Sequence, residues 1–306
     1  MGTTRQASLV NQAKPHIDQF FGQHPHGVVV IVGPTASGKT SLSLALAQHY
    51  GGEIVSADSR LLYRELNIGT AKPSGQELAS VPHHLVDIID ANQEFSVAEY
   101  QKRAYVEIDN LLARKQRAFL VGGTMLYIDA VVYNFLLPVV DGLEETAAHW
   151  RQQDLPTLQK LLLELRPDAG EFIDIQNPVR LQRVMTHYQL HHTWLWEENR
   201  KGEPQYPALI LGLKIEKELL RERITSRVDQ QFADGLVSEV TKLVARYGID
   251  APGLRTIGYT QVLGMLAGLD SKAQAKEKVI HATLDYAKRQ MTWWKRNKDI
   301  VWIDAN

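Results

Sequence analysis

One stretch of eight residues has the composition of a phosphate-binding loop. Residues 33–40 read GPTASGKT and fit the pattern G-x-x-x-x-G-K-[ST], in which backbone amides and a lysine hold phosphates while a hydroxyl can bind Mg²⁺. The residues predicted to hold a di- or triphosphate are Gly33, Pro34, Thr35, Ala36, Ser37, Gly38, Lys39 and Thr40. An apolar run at 28–32 predicts a strand before this P-loop, and a periodic stretch at 42–50 predicts a helix after it. The start of such a helix directs unpaired N–H groups and a partial positive charge at an anion.

Two further polar residues are predicted to follow strands. Residues 53–56 predict a strand that ends just before Asp58, and residues 118–121 predict another that leads through two glycines to Thr124. The carboxyl ends of strands carry the ligand crevice in open α/β sheets, so Asp58 could orient Mg²⁺ or accept a proton there. An ordinary role as a helix N-cap is the alternative. Many P-loop ATPases carry an aspartate where this chain has Gly122-Gly123-Thr124, and its absence favours group transfer over hydrolysis. The glycines would permit close approach of the backbone to a ligand.

Basic residues cluster in the second half of the chain. Arg180 and Arg183 are spaced to share one helix face with two histidines, and a solvated charged face is the alternative to a binding surface. The other candidates are Arg223 and Arg227 one turn apart, the loop residues Arg255, Thr256, Gly258 and Tyr259, and Arg289 near the end of a long helix. Cations mixed with aromatic residues, as around Arg289, suit an RNA surface.

Composition limits the class of protein. The 306 residues are 44% hydrophobic and 23% charged, which is typical of a globular protein. The formal net charge of -1 means that a surface for nucleic acid must be local. Because there is no cysteine, disulfides, thiolate metal sites and a cysteine nucleophile are excluded. No membrane span or secretory signal is apparent in the sequence, so we expect a cytoplasmic protein without membrane contact.

Alternating strands and helices predict an α/β fold with a mainly parallel, P-loop NTPase-like sheet flanked by helices. Residues 27–133 and 206–306 are predicted to form this core with its C-terminal helices. Residues 134–205 show no strand pattern and predict a small all-helical insertion domain. Residues 1–26 are polar with little periodicity, and they predict a poorly structured N-terminal extension.

Six motifs in this order resemble the tRNA dimethylallyltransferase family. They read GPTASGKT, SADSRLLYRELNIGTAKP, PHHLVDI, VGGTMLY, RTIGY and YAKRQMTWW, and the resemblance extends over residues 28–303. It implies transfer of a dimethylallyl group from dimethylallyl diphosphate to the exocyclic amine of the adenine beside the anticodon, with Mg²⁺ as cofactor. The P-loop would hold the diphosphate of the donor. The expected partners are the anticodon stem-loop of tRNA and dimethylallyl diphosphate, and we expect a monomer.

The resemblance also implies roles for single residues. Asp58 would be the general base at the adenine amine, Thr124 would position the acceptor, and Arg223, with Arg227 beside it, would meet the diphosphate. Residue type adds Thr40 and Asp58 as Mg²⁺ ligands. The residues expected to contact tRNA are Ser59, Arg60, Leu61, Arg180, Arg183, Arg255, Thr256, Gly258, Tyr259 and Arg289, together with the insertion 134–205.

Three departures from the family pattern fall on the tRNA side. Leu61 stands where glutamine is frequent, Val184-Met185-Thr186 follows Arg183 in place of Ala-Leu-Glu, and the region 134–180 is short. The nearest alternative is therefore an isopentenyltransferase that acts on free adenine nucleotides. The insertion and its basic residues favour tRNA over that acceptor. An ATP-dependent small-molecule kinase and an RNA-binding module without chemistry are further alternatives. The Gly-Gly-Thr turn argues against the kinase, and Asp58 would be idle in the binding module.

Overall fold

The chain divides into two compact units. A computed structural model describes residues 2–137, 143–197 and 201–306, with side chains from residue 5 onward. The larger unit comprises Met1–Asn134 and Glu203–Asn306, and the smaller unit is Phe135–Gly202. These breaks lie within three residues of the bounds predicted for the insertion at 134–205.

A parallel sheet forms the centre of the larger unit. Its strands within the described residues are β1 Val28–Val32, β2 Gly52–Ser56, β3 His83–His84, β4 Arg117–Val121, β5 Ala208–Lys214 and β6 Val301–Asp304. They lie in the order β3-β2-β4-β1-β5-β6, and every neighbouring pair is parallel. Val30 in the central strand pairs with Leu120 on one side and Ile210 on the other. The predicted α/β class with a mainly parallel sheet is confirmed.

Helices cover both faces of this sheet. The α-helices of the described chain are α1 Gly2–Gln23, α2 Lys39–Tyr50, α3 Gly75–Ser80, α4 Val97–Ala113, α5 Met125–Val132, α6 Leu143–Arg151, α7 Leu155–Leu165, α8 Pro178–His191, α9 Lys217–Ala233, α10 Leu236–Tyr247, α11 Tyr259–Leu266 and α12 Lys272–Trp294. Successive side chains of a strand point to opposite faces, so β1 contributes to two cores. Val29 and Ile31 belong to the core with α1 and α2, whereas Val28, Val30 and Val32 belong to the core with α4, α5, α9 and α12.

The N-terminal segment is a helix rather than a poorly structured extension, so the prediction for residues 1–26 is wrong. Four apolar residues recur every four positions in α1, at Leu9, Ala13, Ile17 and Phe21, and all four are buried. They belong to the same core as Val29 and Ile31 of the sheet, which supplies the apolar contacts that hold the helix. Because the residues between these four are mostly polar, the overall composition of the segment does not reveal the spacing of its apolar residues.

The smaller unit is helical, with its own core. The helices α6, α7 and α8 pack around a cluster that includes Leu158, Leu162, Leu181 and Met185. Asn177 caps α8 by accepting a hydrogen bond from the Arg180 amide at 3.2 Å, and Pro178 occupies its first position. None of the helices among the described residues of either unit has the length and apolar character that a membrane crossing requires.

Candidate active site

The P-loop connects β1 to α2 in a strained conformation. Ala36 has a φ of 62° and Gly38 a φ of 103°, which are left-handed values that L side chains rarely adopt. Lys39 folds back over the loop, since its Nζ donates to the carbonyl oxygens of Gly33 at 2.9 Å and Pro34 at 2.8 Å. The lysine therefore closes the loop on itself at the point where α2 begins.

The electrostatic setting of Lys39 is suited to an anion. Burial lowers the pKa of its amino group to about 8, against the opposing attraction of Asp58, and the nearby Arg227 lowers it further. The guanidinium of Arg227 donates to the Thr35 hydroxyl at 3.3 Å, so a second cation lies at the loop. A di- or triphosphate placed here would relieve the repulsion between the two cations.

Asp58 and Thr124 meet where β2 and β4 end. Thr124 Oγ1 accepts a hydrogen bond from the Ser59 amide at 2.9 Å and donates to the Ser59 hydroxyl at 3.3 Å. Asp58 Oδ1 accepts from the Arg60 amide at 2.9 Å, which is a local turn and not a helix cap, because the next helix begins at Gly75. The second carboxylate oxygen, Oδ2, has no hydrogen bond within the part of the chain that the structure describes. Asp58 can therefore accept from a ligand.

The turn at 122–124, here called the acceptor-side turn, lies directly against the end of β2. A Cβ added to Gly122 would fall 2.1 Å from the Ala57 carbonyl oxygen, and the Thr124 amide donates to that same oxygen at 3.1 Å. The sequence suggested that these glycines allow the backbone to approach a ligand. At Gly122 the close approach is instead to a neighbouring turn, and this contact sets the position of Thr124.

A cavity of about 470 Å³ opens between these groups. Its polar lining includes Thr35, Asp58, Ser59, Arg60, Thr70, Thr124, Arg227, Gln231, Arg255, Thr256, Thr283, Tyr286 and Arg289. Its apolar lining includes Met125, Leu126, Ile224, Val228, Ile257 and Val279. Four arginines, one carboxylate and an apolar wall thus share one space. The cavity can bind an anion, enclose a small apolar group and accept a proton.

Several predicted residues lie outside this cavity. Arg223 lines a shallow groove with Ala36 and Arg227, and its guanidinium donates to the Ala305 carbonyl at 3.4 Å. Thr40 is exposed in the first turn of α2. Leu61 is half-buried, and its carbonyl accepts from the Asp87 amide at 3.0 Å.

The structure corrects the prediction that Tyr259 contacts tRNA. Its side chain is 0% exposed, and its hydroxyl donates to Glu239 Oε1 at 2.5 Å. The same carboxylate accepts from the backbone amides of Asn67, Ile68 and Gly69 at 2.9–3.2 Å. Tyr259 therefore supports a loop that lines the cavity and presents no side-chain surface to a partner. Its neighbour Gly258, at a φ of 95°, is the N-cap residue of α11.

Fewer basic side chains are exposed on α8 than the spacing of Arg180, Arg183, His187 and His191 suggests. Arg180 and Arg183 are exposed, but His187 is buried and its ring stacks on that of His191 at 4.5 Å. Of these four residues, Arg180 and Arg183 are therefore the exposed cations of this helix. Their expected contact with tRNA stays a prediction.

Sequence reasoning missed two residues of α12. Gln290 is 1% exposed, accepts from the Thr35 amide through Oε1 at 2.9 Å and donates through Nε2 to the Gly123 carbonyl at 2.8 Å. Tyr286, one turn earlier, donates to the same carbonyl at 3.1 Å, and burial together with Asp58 raises the pKa of its hydroxyl to about 12. The available signal was two polar side chains four residues apart in the motif YAKRQ, which places them on one helix face.

The predicted Mg²⁺ ligands supply the right kind of atom. Asp58 offers a carboxylate and Thr40 a hydroxyl, and Mg²⁺ binds in proteins through one or two carboxylates with phosphate oxygens and water. No group of three or more His, Cys, Asp or Glu side chains suited to a metal occurs in the ranges that the structure describes. The donor set therefore fits a Mg²⁺ ion that is held jointly with the phosphates of a ligand, and not one held by protein alone.

A model of the IPP transferase family matches residues 61–297 of the chain. The chain belongs to the IPP transferase family. Among curated relatives, the tRNA dimethylallyltransferase of Synechococcus sp. is 39% identical, with 91% of this chain and 90% of that protein aligned. The corresponding enzyme of Microcystis aeruginosa is 40% identical, with 91% and 88% aligned. Membership in the IPP transferase family confirms both the resemblance stated from the motifs and the prediction of a prenyl-transferring enzyme.

Solved structures agree with this assignment to the IPP transferase family. The full-length tRNA isopentenylpyrophosphate transferase of Bacillus halodurans superposes with a TM-score of 0.70 at 36% identity, covering 92% of this chain and 90% of that one. The enzyme of Staphylococcus epidermidis gives 0.67 at 31% identity, covering 91% and 93%. A eukaryotic dimethylallyltransferase acting on tRNA gives 0.75 at 24% identity, covering 91% and 74%, and supports the fold alone.

Proposed function

We propose that this member of the IPP transferase family transfers a dimethylallyl group from dimethylallyl diphosphate to tRNA. The acceptor is the exocyclic amine of the adenine adjacent to the anticodon, and diphosphate is released. The observation that carries the proposal is that one cavity joins the cationic side of the P-loop, an apolar wall and the carboxylate of Asp58. Curated relatives named tRNA dimethylallyltransferase, at 39–40% identity over 91% of the chain, support tRNA as the acceptor.

The donor fits the mixed character of the cavity. The diphosphate would lie at the P-loop, where Lys39 and Arg227 provide charge, and the first turn of α2 provides amide donors. The dimethylallyl group has five carbons and no polar atom, so it suits the wall that includes Ile224 and Val228 of α9 and Val279 of α12. An apolar wall beside a cationic pocket would align the C–O bond of the donor along the cavity.

The transfer moves an electron pair onto the diphosphate and a proton away from the adenine amine. The bond between the allylic carbon and the diphosphate oxygen breaks, and its electron pair leaves with the diphosphate. Lys39 and Arg227 would stabilise that developing charge. When held by Thr40 and the diphosphate, Mg²⁺ would supply further neutralisation. Arg223, beside the loop in the adjacent groove, would add a cation at longer range.

The new bond forms between the amine nitrogen of the adenine and the same carbon. The nitrogen then holds one proton too many, and Asp58 would accept it as general base. Thr124 would hold the base in place. The adenine has to leave its stack to enter a cavity of this size, which costs a few kcal/mol by precedent in other base-modifying enzymes. Arg60, Arg255 and Arg289 would offset this cost by binding tRNA phosphates at the cavity.

A transfer assay distinguishes the possible acceptors. The protein is mixed with radiolabelled dimethylallyl diphosphate and Mg²⁺, and either unmodified tRNA or AMP is supplied. We expect label in tRNA. Label in AMP but not in tRNA would assign the enzyme to free nucleotides, and ATP consumption without label in either acceptor would indicate a kinase. Omitting Mg²⁺ and adding a chelator should abolish the transfer.

The role of Asp58 is tested by Asp58→Asn. The amide keeps the shape of the side chain but cannot accept a proton, so kcat should fall by about a hundredfold or more. Donor binding, measured by equilibrium dialysis, should change by less than about threefold. Asp250→Asn, which removes an exposed carboxylate away from the cavity, is the matched control. An equal loss of donor binding and turnover would mean that Asp58 serves the metal or the fold instead of the amine.

A further inference from the structure

Gln290 connects the loop proposed to bind the donor with the turn proposed to position the acceptor. Its carboxamide spans from the Thr35 amide in the P-loop to the Gly123 carbonyl in the acceptor-side turn, at 2.9 and 2.8 Å. The side chain is 1% exposed, so neither hydrogen bond competes with solvent. The two partners lie 255 and 167 residues away from it in the chain, and they follow β1 and β4, which are neighbours in the sheet.

The surroundings leave little freedom for this side chain. A Cβ added to Gly123 would lie 2.4 Å from Gln290 Nε2 and 3.9 Å from Lys39 Nζ, so the amide occupies space that only glycine leaves open. Tyr286, one turn earlier in α12, donates to the same Gly123 carbonyl at 3.1 Å. At the other end, the residue whose amide Gln290 binds is Thr35, whose hydroxyl accepts from Arg227.

We propose that Gln290 is a positioning residue for the transfer, on the basis of the function proposed above. By holding the P-loop and the acceptor-side turn at one separation, it sets the distance between the carbon of the donor and the amine that Thr124 and Asp58 orient. A displacement of about 1 Å between reacting groups costs on the order of a hundredfold in rate. Gln290 contacts neither substrate in this scheme and acts through Thr35 and Gly123.

The chemistry of the link requires an amide. One planar group has to accept from an N–H at one end and donate to a carbonyl at the other. Methionine has nearly the same length and supplies no strong donor or acceptor. An ionised glutamate accepts from Thr35 but faces the Gly123 carbonyl with a second acceptor, whereas a protonated glutamate restores the missing donor.

Gln290→Met is the first test, with Gln101→Met as matched control. Gln101 is also buried, at 8% exposed, and donates through its amide to the Ala130 carbonyl at 2.7 Å, but this partner lies in α5 and in neither of the two loops that Gln290 joins. Both variants should lower Tm by a similar few degrees. Only Gln290→Met should lower kcat, by about tenfold or more, with KM for donor and for tRNA each changed less than about threefold. A loss of kcat that is equal in the two variants would mean a purely structural role. A rise in donor KM alone would mean that Gln290 serves donor binding only.

Gln290→Glu supplies a readout that stability alone would not move. The ratio of its kcat to the wild-type kcat should rise when the pH is lowered from 8 to 5.5, because the protonated carboxyl regains the donor to Gly123. The charged or titratable groups near this link include Asp58, Lys39, Arg227 and Tyr286, and taking the ratio at each pH cancels the pH dependence that the variant and the wild type share. A ratio that is flat with pH would overturn the proposal. Wild-type transfer to tRNA is measured in parallel, and its absence would refute the proposed function and this inference together. If the wild type transfers the label and Gln290→Met behaves like Gln101→Met, only the inference is refuted.

Discussion

Donor binding should weaken above pH 8 because of one residue, Lys39. Burial and the nearby Arg227 lower the pKa of its amino group to about 8, while the ordinary value is 10.5. A lysine that loses its charge in this range no longer attracts the diphosphate. The perturbation is therefore a change of pH from 7 to 9, combined with the substitution Lys39→Arg.

The size of the effect follows from the pKa. With a value of about 8, roughly nine-tenths of the protein carries a charged Lys39 at pH 7 and roughly one-tenth at pH 9. If only the charged form binds the donor well, KM for dimethylallyl diphosphate rises about tenfold between the two pH values. Arginine stays charged throughout this range, so the Lys39→Arg enzyme should bind the donor more weakly at pH 7 but show a flat profile.

The assay is the initial rate of label transfer to tRNA at saturating tRNA and Mg²⁺, with the donor concentration varied at each pH. Wild-type KM that is constant from pH 7 to 9 would refute the reasoning. So would a parallel rise in the Lys39→Arg enzyme, since the titrating group would then lie elsewhere.

The same pKa fixes the sign of a stability effect. Between pH 8 and 10.5 the unfolded chain keeps the lysine proton that the folded chain has lost, so stability of the donor-free protein should increase with pH through this window. Below pH 8 the full cost of the buried charge is present, which is about 3 kcal/mol for a shift of this size. Thermal melts should show the rise for wild type, and Lys39→Met should lack this component.

Two further predictions concern stability. Gly122→Ala should lower the free energy of unfolding by about 3 kcal/mol or more in urea titrations, because its Cβ would fall 2.1 Å from the Ala57 carbonyl oxygen. Gly75 has open space around it, so the control Gly75→Ala should change the free energy of unfolding by about 0.5 kcal/mol or less. Ile17→Ala should lower the free energy of unfolding by about 2–5 kcal/mol, since Ile17 is 0% exposed in α1. The control Asn11→Ala, at an exposed position of the same helix, should be nearly neutral. An equally small effect of both substitutions would show that α1 is not part of the folded core.

Features that depend on neighbouring residues could be predicted from the sequence. The P-loop, the strand before it and the helix after it are local, so the pattern at 28–50 contains the needed information. Asp58 and Thr124 were also found, because each follows a strand and the ends of parallel strands meet at one edge. Here both follow strands that are paired in register, with Ser56 beside Val121.

Features that depend on distant contacts could not be predicted in this way. From the sequence Tyr259 was placed in a loop with an arginine, and only the contact with Glu239 shows that its ring is in the core. Gln290 resembles any polar residue of a long helix until α12 is placed against the loops after β1 and β4. Arg223 and Arg227 are one turn apart, and the rotation of α9 decides that Arg227 lines the cavity while Arg223 does not.

The strand order explains why one turn influences both substrates. β4 lies between β2 and β1, so the acceptor-side turn that follows β4 has the turn after β2 on one side and the P-loop after β1 on the other. Gly122 meets the first at Ala57, and Gly123 is joined to the second through Gln290 and Thr35. A side chain added at Gly122 should therefore move Thr124 and Asp58 relative to each other, and one added at Gly123 should move the P-loop. The parallel topology, more than any single residue, brings the donor loop and the base of the acceptor side to one cavity.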